Sequence, residues 1–72
     1  MGHLRWRLES AVATAQRPLN LETATRLRRR VEALAQEVET GSFTGVERST
    51  LCRLRHQAIQ TAELAIRRAD TA

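Results

Sequence analysis

Lysine is absent from the sequence, and so is tyrosine. Trp6 and Phe43 are its only aromatic residues, Cys52 its only cysteine and Pro18 its only proline. Each scarcity excludes something. One cysteine cannot form a disulfide within the chain, so a small secreted scaffold stapled by bridges is excluded, and a lone thiol fits a reducing cytosol. No apolar stretch approaches the ~20 residues of a membrane span, and no basic start followed by an apolar run marks a secretion signal. A cytoplasmic protein without membrane contact is therefore expected. No glycine-rich phosphate loop, serine elbow or pair of catalytic carboxylates occurs. A chain of 72 residues also has little volume in which to enclose a catalytic pocket. Neither an enzyme, a cofactor nor a small-molecule substrate is expected.

Without lysine, all the fixed positive charge is arginine: twelve arginines stand against eight acids, for a net charge of +4. The guanidinium is a planar fork that matches phosphates and carboxylates and stacks on aromatic rings. A charge of this size permits nucleic-acid binding without demanding it. The remaining composition is rich in Ala, Leu, Glu and Gln, all strong helix formers. A core built from so few residues is marginal, so a partner subunit is expected to help.

Two breaks divide the chain. In Arg17-Pro18-Leu19-Asn20, the proline ring disfavours helical geometry at Arg17, and Asn20 is suited to cap the helix that follows. In the stretch 40–47, TGSFTGVE, Gly41 suits the left-handed residue that closes a helix. Thr44 and Glu47 have the spacing of a capping box, in which each side chain satisfies the other's backbone amide.

Between the breaks, Ala24, Leu27, Val31, Leu34 and Val38 are spaced 3, 4, 3 and 4, a heptad-like seam that predicts a helix over 21–40. From 45 to 69, Leu51, Leu54, Ala58, Ala62 and Ala65 share one face, and Cys52, Ile59 and Ile66 form a second row beside it. A stripe that wide can touch two neighbours. The short turn makes these two helices an antiparallel hairpin. Counting outward from it places Glu37 near Arg48 and Arg30 near Arg55.

Residues 4–8, LRWRL, admit two readings. As a strand, Leu4, Trp6 and Leu8 share one face, and Arg5, Arg7 and Glu9 the other. A basic strand followed by two helices resembles the ribbon-helix-helix proteins, which implies a dimer whose strand enters the major groove. It departs from them in the roughly ten residues, Pro18 included, that separate strand from helix, and in the length of the later helices. As a helix over about 4–17, Leu4, Leu8, Ala11, Val12 and Ala15 form an apolar stripe, Arg5 and Glu9 pair one turn apart, and Trp6 lies opposite. The alanine-rich continuation favours the helix. The expected fold is all-α: helix 1 packing across the long hairpin, which dimerises into a four-helix core.

The densest charge run is 26–30, RLRRR. Glu22–Arg26 and Arg28–Glu32 are helical pairs, whereas Arg29 and Arg30 have no partner of that kind. With Arg53 and Arg55 at the same expected level, these form a candidate basic belt, to which Arg5 and Arg7 add. Arg55 falls within the apolar stripe of its helix, where it covers apolar surface with its stem or meets an acid such as Glu32 of a second copy. Cys52 and His56 are one turn apart with Glu63 beyond, too thin a ligand set to predict a metal. The function expected is a small non-enzymatic regulator that binds nucleic acid through Arg5, Arg7, Arg29, Arg30, Arg53 and Arg55. The alternative is an adaptor or antitoxin-like protein that binds an acidic or apolar protein surface through Trp6, Ile59 and Ile66.

Overall fold

A computed structural model describes residues 2–71 as three α-helices: α1 (Gly2–Ala15), α2 (Leu21–Thr40) and α3 (Gly45–Thr71). No strand occurs among the described residues. Residues 4–9 lie inside α1, so the ribbon alternative is overturned. The alternation of that stretch spans only five residues, while the helical stripe through Leu8, Ala11, Val12 and Ala15 continues for two more turns. All four are buried.

The helix boundaries follow from local chemistry. α1 stops at Ala15, two residues short of the expected end, because Pro18 drives Arg17 out of helical geometry. The amides of Gln16 and Arg17 bond back three residues, to Ala13 and Thr14 at 3.2 and 3.1 Å, which tightens the last turn. Asn20 caps α2 as expected: its Oδ1 accepts from the Thr23 amide at 2.8 Å and its carbonyl from the Ala24 amide at 2.9 Å. The capping box expected at the start of α3 does not form. The Thr44 hydroxyl donates to the Glu47 carboxylate at 3.2 Å instead of either side chain taking a backbone amide.

Gly41 departs from expectation. Its φ of −77° and ψ of 157° are extended, not left-handed, and no glycine among the described residues has positive φ. Glycine is required there for space. A Cβ at position 41 would collide with Cε2 of the Phe43 ring, stand 2.6 Å from its Cζ and lie 2.9 Å from the Glu37 carbonyl oxygen. The ring folds back over the end of α2 and occupies the volume that a side chain would need.

The three helices run up, down and up. The beginning of α1 meets the end of α2, where His3, Leu4 and Arg7 line a cleft with Glu37, Thr40 and Phe43. Its end meets the end of α3, where Arg68 donates to the Ala15 carbonyl at 3.2 Å. Thus α1 does not cross the hairpin: it runs alongside as the third helix of a bundle and completes the core within one chain. That core is Leu8, Ala11, Val12 and Ala15 of α1, the whole predicted seam of α2, and Leu51, Ala58, Ala62 and Ala65 of α3. Six of these thirteen residues are alanine. Alanines bring helices close but bury little area each, so the four leucines and three valines carry most of the hydrophobic stabilisation, at about 1.5–3 kcal/mol per fully buried side chain. No polar residue is buried among those described.

The register of the hairpin also differs from simple counting. Glu39, one residue from the end of α2, pairs with Arg55 at 3.2 Å, well inside α3. Glu37 pairs with Arg7 of α1 at 3.6 Å, not with Arg48. A tight symmetric turn would set Glu39 against the first residues of α3. Residues 41–44 instead continue onward without helical or turn structure, and α3 starts beyond the end of α2. With 20 and 27 residues the two helices are about 30 and 40 Å long. The first turns of α3 overhang, and Val46 there is 82% exposed. The molecule's long dimension, 41 Å, is that of α3. No helix is long and apolar enough to cross a membrane, among the described residues.

Candidate nucleic-acid interface

Five arginines are committed to carboxylates. The three pairs within helices form as their i,i+4 spacing predicts: Arg5–Glu9 at 2.9 Å, Arg26–Glu22 at 2.8 Å and Arg28–Glu32 at 3.2 Å. Two more join helices, Arg7–Glu37 and Arg55–Glu39. Arg68 is held by the end of α1. The other six, Arg17, Arg29, Arg30, Arg48, Arg53 and Arg67, are exposed and make no ion pair among the described residues.

This division splits the predicted set. Arg29, Arg30 and Arg53 are free positive charges. Arg5, Arg7 and Arg55 are each accompanied by a carboxylate, so a distant anion meets a near-neutral pair at those points. The expected belt of Arg30, Arg53 and Arg55 is not assembled. Arg30 lies on the flank of α2 that faces α1, Arg55 on the side of α3 that faces α2, and Arg53 on the outer face of α3 beside Val46, Ser49 and Thr50. The belt depended on a symmetric turn, and the overhang of α3 removes that symmetry. Arg55 does cover its neighbours with its stem, its side chain 29% exposed, but its acid comes from the same chain, while Glu32 is taken by Arg28.

Trp6 is 65% exposed, as the helical reading of α1 requires. The structure adds a surrounding that the sequence did not disclose. Trp6, Arg7, Ser10, Ala11 and Thr14 of α1 and Leu27 and Arg30 of α2 line one shallow groove between the helices. Ser10 and Thr14 are one turn apart and present two hydroxyls there. Ser10, Thr14 and Leu27 were not site residues by sequence. Their signal is visible only once α1 is known to lie antiparallel to α2 with its Trp6 flank turned toward Arg30.

Ile59 and Ile66 are partly buried and pack against the core, together with Cys52. They lie on the flank of α3 that carries Arg55, beside α2, and present less surface than an open docking stripe would. The remaining exposed large apolar residues, Leu21, Val46 and Leu64, sit at the start of α2, at the start of α3 and within the second half of α3, and none of them lines the Trp6 groove. Among the described residues no three His, Cys, Asp or Glu side chains converge as a metal site needs. Fold and surface together define a three-helix bundle with an arginine-rich exterior. Comparison with protein families, with curated proteins and with solved structures returned no match.

Proposed function

We propose that this protein is a small, non-enzymatic, cytoplasmic accessory or regulatory protein that binds nucleic acid through arginine side chains. The observation that supports it is the set of exposed arginines left without carboxylates, Arg29, Arg30 and Arg53 foremost. Unpaired guanidinium groups on a rigid helical surface attract phosphates at long range and bind them by charge-assisted hydrogen bonds. Paired arginines contribute less, because a phosphate must first displace the carboxylate, although surface pairs are weak enough for that to occur. The adaptor reading has less support, since Ile59 and Ile66 are committed to the core's edge. A second copy of the chain is compatible with this reading and is not needed to close the core, which α1 completes.

The test is a titration of nucleic acid at several salt concentrations. Each phosphate neutralised on a duplex adds about −0.9 to the slope of log K against log[salt]. Binding that weakens with such a slope, and a slope that falls by about one for each of Arg29→Ala, Arg30→Ala and Arg53→Ala, is the expected result. No binding to duplex or single strand at low salt would overturn the proposal.

A further inference from the structure

We propose that the groove between α1 and α2 is a base-stacking site, and that the nucleic acid it takes is single-stranded. This inference rests on the nucleic-acid reading above and narrows it to a substrate class. Its starting point is the juxtaposition of Trp6 with Arg30, a free guanidinium, over a groove that also presents Leu27 and the hydroxyls of Ser10 and Thr14. An indole left 65% exposed on an otherwise well-packed small bundle offers a large flat π-face to solvent. A nucleobase offers the same in return, and base–aromatic stacking needs no particular base identity. Duplex DNA hides the faces of its bases within the stack, so only an unpaired strand can use the indole.

Charge and shape select this occupant over a protein surface. The carboxylates near the groove are each held by an arginine: Glu37 by Arg7, Glu9 by Arg5 and Glu22 by Arg26. The net field there is set by Arg30 and its neighbour Arg29, which make no ion pair among the described residues. A strand lying along that flank of α2 places its phosphates against Arg30 and Arg29 while a base turns inward onto Trp6. Leu27 supplies an apolar floor, and Ser10 and Thr14 can donate to or accept from base edges. An apolar protein partner would instead need a continuous hydrophobic patch around Trp6. The other exposed apolar side chains, Leu21, Val46 and Leu64, are elsewhere on the molecule.

Trp6 is the sole tryptophan, so its emission reports on this groove alone. The full chain is titrated with oligothymidylate, with a mixed-sequence duplex of equal length, and with an acidic peptide rich in glutamate and tyrosine. Binding is followed by Trp6 emission and, with labelled probes, by anisotropy. Oligothymidylate is expected to quench Trp6 and to bind more tightly than the duplex. Trp6→Ala should weaken it roughly 5- to 100-fold, Trp6→Phe should restore most of the affinity, and both variants should keep their helicity because the side chain is on the surface. Equal binding of duplex and single strand with unchanged Trp6 emission would overturn the stacking site while leaving nucleic-acid binding intact. Failure of both nucleic acids at low salt would overturn both proposals. Quenching by the acidic peptide without any response to oligothymidylate would assign the groove to a protein partner.

Discussion

Gly41→Ala is the substitution whose consequence depends most directly on what the fold shows. If the residue were glycine because its backbone is left-handed, alanine would cost about 1–2 kcal/mol through φ alone, whatever surrounds it. The structure locates the cost in a neighbour. The new methyl group would overlap the Phe43 ring and sit 2.9 Å from the Glu37 carbonyl oxygen. The ring must swing away and surrender its packing. Full burial of such a side chain contributes about 1.5–3 kcal/mol, and Phe43 is half-buried, so displacement costs about 1–1.5 kcal/mol. Crowding against the carbonyl adds about 0.5 kcal/mol or more, while alanine's smaller unfolded-state entropy returns about 0.4–1 kcal/mol. The net is about 1 kcal/mol, or about 4–8 °C in Tm for a chain of this size. A double-mutant cycle by urea denaturation separates the two causes. In a Phe43→Ala background the same glycine substitution should cost almost nothing, giving a coupling energy of about 1 kcal/mol. An equal penalty in both backgrounds would refute the steric account. Gly45 supplies the control: a Cβ there meets nothing within 4 Å at the first position of α3, so Gly45→Ala should be neutral or stabilising by up to about 1 kcal/mol.

Other predictions test the bundle and its surface. Leu8 is fully buried and Trp6 is mostly exposed; Leu8→Ala should therefore cost about 3–4 kcal/mol and Trp6→Ala under about 0.5 kcal/mol in chemical denaturation, and comparable costs would contradict the helical placement of both. Asn20→Ala removes the acceptor for the Thr23 amide and should cost about 1 kcal/mol, read from the shift in denaturation midpoint at constant m-value. Replacing Arg29 and Arg30 together should lower the salt slope of nucleic-acid binding by about two, whereas replacing Arg5 and Arg28, which are paired with Glu9 and Glu32, should lower it by less; equal effects would show that the ion pairs do not matter to binding.

The structure sorts the sequence-level expectations by the range of the interaction involved. The seam of α2 was legible residue by residue, because a 3.6-residue period decides which side chains share a face. The Asn20 cap and the pairs Arg5–Glu9, Arg26–Glu22 and Arg28–Glu32 were legible for the same reason: their geometry is closed within one turn. The box at Thr44 and Glu47 was half legible, since spacing brought the two side chains together but did not dictate that they would bond each other. The interhelical pairs were not legible. Arg55 meets Glu39 and Arg7 meets Glu37 because residues 41–44 lead onward before α3 begins, and nothing in their composition states that path. The predicted basic belt failed at this point, and with it the equal standing of the six predicted arginines.

By itself, the sequence determined three helices, their approximate limits, the faces they bury and the absence of an intrachain disulfide. Each of these follows from covalent constraints or from contacts within about four residues. The tertiary structure alone decided that α1 lies along the hairpin and closes the core in one chain, that Gly41 is needed for space and not for φ, and which arginines remain free. It alone brought Trp6 and Arg30 to one groove. Those outcomes depend on how far one helix is displaced along another, and that displacement is set by loop path and side-chain packing across the bundle, over distances at which helical periodicity carries no information.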